Sequence, residues 1–243
     1  MLTKYPYITS KVILKKTHNA DYRVISNFDG NADDDIIVNE SIKYLISLCD
    51  GQRSVLDIIN EISAVYYESS YADIKEGVEN TFAYLNDSGL VVMSDFNIPS
   101  EKLIIKEDSS LETVYIELTN ECNLKCIHCY NESGSVRQNE LSTEDMLSLI
   151  DRLGNAGVTD VVLTGGEPFK RKDIFMLINE IVNHDMRFSI FSNGLLVTPE
   201  IATQLKKYDV QFVAVSLDGA NAATHEMIRG KNTFKRTIEK IKL

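Results

Sequence analysis

Val114-Tyr-Ile-Glu-Leu118-Thr-Asn-Glu-Cys122-Asn-Leu-Lys-Cys126-Ile-His128-Cys129-Tyr130 runs from an alternating apolar segment straight into three cysteines. The alternation predicts a strand over Val114 to Leu118, with the cysteines just beyond its end. Thiolates are soft ligands that select iron–sulfur clusters or zinc over magnesium and calcium. A structural zinc site wants four closed ligands, and the local supply is Cys122, Cys126, Cys129 and His128. His128 adjoins Cys129, which strains joint ligation. A [4Fe–4S] cluster has four irons, so three cysteines leave one iron open to a substrate or cofactor.

Beyond the cysteines, strands alternate with helices. Ser142 is placed to cap a helix whose apolar stripe is Met146, Leu149, Ile150 and Leu153, and Val161 to Leu163 is the next strand, ending in Gly165-Gly166-Glu167-Pro168. Ile174, Leu177, Ile178 and Ile181 mark a second helix, and Phe188 to Phe191 a third strand ending in Ser192-Asn193-Gly194. Pro199 suits the first turn of the following helix. Val210 to Val215 is a fourth strand ending in Ser216-Leu217-Asp218-Gly219, and Thr233 opens a last helix with Ile238 and Ile241. This rhythm predicts an α/β fold of four βα units building a parallel sheet or barrel over residues 113–243. Every polar motif follows a strand, and in βα barrels the site lies at those strand ends. Zinc at the cysteines gives no reason for the glycine-rich ends elsewhere.

Residues 1–93 read as a separate small α+β unit. Val12 to Leu14, Tyr22 to Ile25 and Ile36 to Val38 are short strand candidates. Three helices follow: one marked by Ile42, Leu45 and Ile46; one over Val55 to Val65, preceded by Ser54 with Asp57 as a capping-box variant; and one from Tyr71 to Asp87 with its stripe on Ile74, Val78, Phe82 and Leu85. Gly89 suits a C-terminal cap, and Leu90 to Met93 a closing strand or wing, giving a winged-helix-like unit. Residues 94–112, with Pro99 and the polar run Lys106 to Ser110, read as a linker. Asp29, Asn31, Asp33, Asp35 and Glu40 fall at ligand positions of a calcium loop, with Ile36 at its apolar position. Asp34 stands where that loop needs glycine, so the segment reads as an acidic surface turn. Cys49, beyond an apolar helical face, reads as a core thiol.

The chain has 243 residues, 44% hydrophobic, with a formal net charge of −11. Residues 1–95 hold eight Lys/Arg against fifteen Asp/Glu, a net of −7. That balance excludes the basic footprint of a nucleic-acid surface, even for a winged helix. No apolar run approaches membrane-spanning length and Met1 to Ser10 lacks the core of a signal peptide, so the expected location is the cytoplasm with no membrane partner.

The run Glu40-Ser-Ile-Lys-Tyr-Leu-Ile-Ser-Leu-Cys-Asp50-Gly51-Gln-Arg-Ser-Val-Leu-Asp-Ile-Ile59, with strands before it and a helix after it, resembles PqqD-like domains, also called RiPP recognition elements. In that family the leader of a precursor peptide adds as a strand to the edge of the small sheet. The resemblance implies a precursor peptide as partner, with Ile36, Ile37 and Val38 as the edge that receives it. An ordinary edge strand is the plain alternative.

Cys-x3-Cys-x2-Cys after the first strand of residues 113–243, with Gly-Gly-Glu-Pro after the second, resembles the radical S-adenosylmethionine superfamily. The resemblance implies a [4Fe–4S] cluster on Cys122, Cys126 and Cys129 whose open iron chelates S-adenosylmethionine. Reductive cleavage by one electron, from a donor such as ferredoxin or flavodoxin, then gives a 5′-deoxyadenosyl radical that abstracts a substrate hydrogen. It further implies His128 near the adenine, Gly165 and Gly166 giving close backbone approach, and Glu167 accepting from the cofactor ammonium. Ser192, Asn193 and Ser216 fall to ribose hydroxyls or the methionine moiety, and Arg229 to the cofactor carboxylate. Tyr130 lines the cavity or belongs to the core. The superfamily's barrels have six βα units against the four counted here, which implies a C-terminally truncated chain, a disrupted gene product, or a half completed by another chain. The expected function is modification of a precursor peptide by a thioether, a carbon–carbon crosslink or epimerisation. The alternatives are a small-molecule substrate, a folded protein of the sulfatase-maturing type, and an inert peptide-binding remnant.

Overall fold

A computed structural model describes residues 1–17, 19–26, 36–107 and 111–243. The chain divides into two compact units, Met1–Ser109 and Ser110–Leu243.

In the first unit, β1 (Tyr5–Tyr7) pairs antiparallel with β5 (Val92–Ser94). A separate four-stranded sheet is built from β2 (Val12–Lys16), β3 (Tyr22–Ser26), β4 (Ile37–Val38) and β6 (Leu103–Lys106), in the order β4-β3-β2-β6. β2 runs antiparallel to β3 and parallel to β6, with Ile13 opposite Ile104. The stretch expected to be a linker therefore carries a sheet strand at its centre. Its partner lies some ninety residues earlier, and no local pattern announces so distant a pairing.

Among the described residues three helices cover this unit: α1 (Glu40–Ser47), α2 (Val55–Val65) and α3 (Tyr71–Asp87). Ser54 and Asp57 form a reciprocal capping box, each side chain accepting from the other's backbone N–H, at 3.2 Å and 2.9 Å. Gly89 follows α3 with φ +76°, the left-handed conformation that ends a helix at little cost to glycine. The apolar faces meet in one core that includes Leu14, Tyr22, Leu45, Ile58, Phe82 and Leu85. Cys49 is 2% exposed within it, its thiol donating to the Leu45 carbonyl, and burial pushes that thiol well up. β4 is an outer strand, with Ile37 exposed and Val38 buried. Ile36 precedes the strand, and its carbonyl accepts from Val24 N–H at 2.9 Å. Most of the calcium-like pattern, from Asp29 to Asp35, lies outside the described residues.

The second unit holds four parallel strands, β7 (Thr113–Glu117), β8 (Asp160–Thr164), β9 (Arg187–Ser192) and β10 (Val213–Val215), side by side in chain order. α4 (Thr143–Asn155), α5 (Ile174–Asn183) and α6 (Pro199–Lys207) connect them, and α7 (Ala222–Arg229) and α8 (Phe234–Ile241) follow. Alternate strand residues Ile116, Leu163, Phe188 and Ile190 pack against Met146 and Ile150 of α4 and Leu177 and Ile178 of α5. The fourth strand is shorter than the apolar run that predicts it: Val210 N–H closes the end of α6 on the Leu205 carbonyl. α7 lies between Gly219 and Arg229, where no helix was expected. No helix among the described residues is long and apolar enough to cross a membrane.

Candidate functional site

Strand β7 delivers the chain into the cysteine loop, which three backbone anchors hold in shape. The Glu140 carboxylate accepts from Thr119 Oγ1 and Asn120 N–H at 2.8 Å and from Arg137 N–H at 2.9 Å. Gly134 exchanges backbone bonds with Asn120 and Cys122, and Ile127 N–H reaches the Ile228 carbonyl of α7 at 3.1 Å. Glu140 carried no sequence signal because Thr119 and Asn120, which it ties to the loop, lie about twenty residues away in the chain.

All three thiols are half-buried, and each faces at least one N–H donor. Cys122 Sγ takes Leu124 N–H at 3.5 Å and faces Asn193 Nδ2 at 3.9 Å. Cys126 Sγ faces Arg229 Nη1 at 4.0 Å, and Cys129 Sγ takes Ser133 N–H at 3.4 Å. Burial pushes Cys122 and Cys126 up, Arg229 offsetting part of the effect at Cys126. Burial also works against ionising Cys129, but the backbone N–H groups of Ser133, Asn131 and Glu132 bring its thiol below the usual value. Among the described residues no three His, Cys, Asp or Glu side chains close around a single metal ion. The donor set suits a cluster, whose thiolates bind separate irons and whose sulfurs are stabilised by N–H donors.

At the end of β8, Gly165 has φ +124°, and a Cβ there would lie 2.5 Å from the Thr119 carbonyl oxygen. A Cβ on Gly166 would lie 2.4 Å from that of Glu121. Gly166 N–H and Glu167 N–H bond to those same two carbonyls at 2.7 Å and 2.9 Å. The glycines let β8 and the entry to the cysteine loop interlock.

Glu167 is fully buried, and its carboxylate accepts from Ser192 Oγ at 2.8 Å, Asn193 N–H at 2.9 Å and Phe169 N–H at 3.3 Å. Burial pushes its pKa up in spite of these bonds. As placed, the group holds the turn after β9. Pro168 opens a short 3-10 turn, Pro168–Lys170.

Ser192 and Asn193 are buried as well. Ser192 Oγ accepts from Gly194 N–H at 2.9 Å, and Asn193 joins Asn123 through Nδ2 at 2.9 Å. Together they link Glu167 to the cysteine loop. Ser216, half-buried, extends the sheet ladder by donating its N–H to the Ser192 carbonyl at 3.0 Å.

Arg229, in the last turn of α7, pairs through Nε with Asp218 Oδ2. The half-exposed His128 brings Nε2 to the same oxygen at 3.5 Å. Burial opposes ionisation of Asp218, but Arg229 and His128 hold its carboxyl below the usual range. Tyr130 is 80% exposed and belongs to neither core nor buried cavity. The four strand ends thus converge through Cys122, Cys126, His128, Glu167, Ser192, Asn193 and Arg229. Ile36, Ile37 and Val38 belong to the first unit. Asp218 and Asn123 join the site although both were passed over, Asp218 because a residue before glycine reads as a turn.

Residues 116–243 match the family model described as the Radical SAM superfamily. The AdoMet-dependent heme synthase of Methanosarcina barkeri is 40% identical over 129 residues, 52% of this chain and 37% of that protein. The antilisterial bacteriocin subtilosin biosynthesis protein AlbA of Bacillus subtilis is 30% identical over 213 residues, 85% of this chain and 47% of that protein. The crystal structure of Streptococcus suis SuiB matches 97% of this chain and 52% of its own, with a TM-score of 0.56 at 17% identity, which is a likeness of fold. The chain spans less than half the length of these two relatives. Matched over more than half its length and carrying three thiols on one loop, the chain belongs to the radical SAM superfamily of enzymes, which use a [4Fe–4S] cluster and S-adenosylmethionine.

Proposed function

We propose that the chain is a radical S-adenosylmethionine enzyme that modifies a ribosomally made precursor peptide, the first unit taking the leader and the second supplying the chemistry. The observation that carries the peptide reading is the length of the AlbA match. At 213 residues it is longer than the second unit and so reaches well into the first. The first unit, read as a PqqD-like recognition element, offers β4 as an outer strand with its Ile37 exposed.

Cys122, Cys126 and Cys129 would hold the cluster, and Arg229 would receive the cofactor carboxylate. His128 shares Asp218 with that arginine, Ser216 would meet the ribose or the methionine moiety, and Glu167, Ser192 and Asn193 hold the Cys122 side of the loop. When bound, the two cofactors supply one-electron reduction and hydrogen abstraction. A reduced ferredoxin or flavodoxin in the cytoplasm is the proposed electron source. A second reading, a tetrapyrrole substrate, is favoured by the higher identity to the heme synthase, although that match covers 52% of the chain.

Hydrogen exchange on the full chain, with and without short peptides encoded beside its gene, separates the two. Peptide binding with slowed exchange at the Ile37 amide, the one directed away from β3, supports the first. An absence of peptide binding together with saturable iron-porphyrin binding supports the second.

A further inference from the structure

We propose that Asp218 is a positioning residue that aims Arg229 at the cofactor carboxylate; this rests on the reading of Arg229 given above. Three contacts single it out. Its carboxylate takes Arg229 Nε, and the two side chains are only 22% and 13% exposed. The same Oδ2 stands 3.5 Å from His128 Nε2, on the residue before Cys129. Its backbone N–H donates to His225 Nδ1 at 3.3 Å. His225 is fully buried, its ring meeting Phe234 edge-on at 5.7 Å.

Because His225 Nδ1 accepts, its proton sits on Nε2, which has no partner among the described residues. The imidazole is thus committed to fixing the start of the Asp218-Gly219 turn. A carboxylate anchored from behind in this way faces one donor of a planar five-donor fork. With Nε engaged, the Nη1–Nη2 edge is the one left to present, and Nη1 already faces the Cys126 sulfur at 4.0 Å. An arginine without this clamp would divide its time among rotamers and have to order itself on binding.

The test uses the full chain, reconstituted anaerobically, with S-adenosylmethionine affinity measured by equilibrium dialysis and iron counted in each sample. Asp218→Asn should weaken binding about tenfold, with Asp218→Glu recovering part of the loss. The double variant Asp218→Asn/Arg229→Ala should bind no more weakly than Arg229→Ala alone, because Asp218 acts only through that side chain. Wild-type affinity in Asp218→Asn, or additive losses in the double variant, would overturn the proposal. If Arg229→Ala itself binds like the wild type, the assignment of Arg229 falls first and takes this inference with it.

A second measurement needs no cluster. In the cluster-free chain, the Arg229 Nε–H resonance should exchange with solvent about ten times faster in Asp218→Asn than in the wild type. Unchanged exchange there would equally overturn the positioning role.

Discussion

Asn193 and Cys122 stand 71 positions apart in the chain, yet the Asn193 amide nitrogen faces the Cys122 sulfur at 3.9 Å and donates to the adjacent Asn123 at 2.9 Å. Leu195 N–H, donating to Asn193 Oδ1 at 3.0 Å, fixes which way that amide points. The end of β9 therefore clamps the first cysteine. Asn193→Ala should cost about 1–3 kcal/mol by leaving buried groups unpaired. The variant should also retain less iron than the wild type after reconstitution and desalting; equal iron content would show that the loop keeps its shape without the clamp.

Two glycines should respond in opposite directions. Gly166→Ala drives a Cβ into the Glu121 carbonyl and should destabilise the chain by about 1–3 kcal/mol, whereas Gly77→Ala, inside α3 with nothing within 4 Å, should stabilise it by about 0.5–1 kcal/mol. Urea unfolding of both variants checks the pair.

Glu167 carries a pH signature. Burial raises its pKa in the folded chain, so the native state binds that proton more tightly than the unfolded one. Its contribution is therefore greatest at low pH and declines as pH rises from the ordinary carboxylate value, about 4.3, through the raised folded value. Glu167→Gln, which has no proton to titrate, should lose that declining slope in urea titrations across the window. A slope identical to the wild type would place the pH dependence elsewhere.

The first unit should show the reverse at acid pH. Tyr22 Oη donates to Glu107 at 2.8 Å and, with Lys43 and Lys16, holds that carboxyl down at about 2 against burial. The stabilisation is present above the ordinary carboxylate range and is lost as pH falls toward about 2. Tyr22→Phe keeps the buried ring but removes the hydroxyl, so the acid transition of this unit, followed by circular dichroism, should become shallower and begin at higher pH.

Local signals in the sequence were read well where the physics is local. The apolar stripe of Val78, Phe82 and Leu85 and the Ser54–Asp57 cap each depend on residues a turn apart, and the structure has both. β1 was missed because Tyr5-Pro6-Tyr7 is three residues with a proline at its centre. At the site, the placing of Cys122, Cys126 and Cys129 on one loop after a strand is legible from spacing. The protein contacts of Gly165, Gly166, Glu167, Ser192 and Asn193 are not, because each is defined by a partner on another segment. A glycine that admits a cofactor and one that admits a neighbouring carbonyl read identically in a sequence.

The parallel pairing of β2 with β6 sets the order of events during synthesis. Val12 emerges from the ribosome early, but Leu103, its partner, is made ninety-one residues later. Until then one side of β2 has its hydrogen-bonding groups exposed, and α1, α2 and α3 must collapse onto an unfinished sheet. A cut after residue 93 would make that transient condition permanent. A fragment meant to stand alone has to run past Glu107, so that it includes both the last strand and the carboxylate that meets Tyr22.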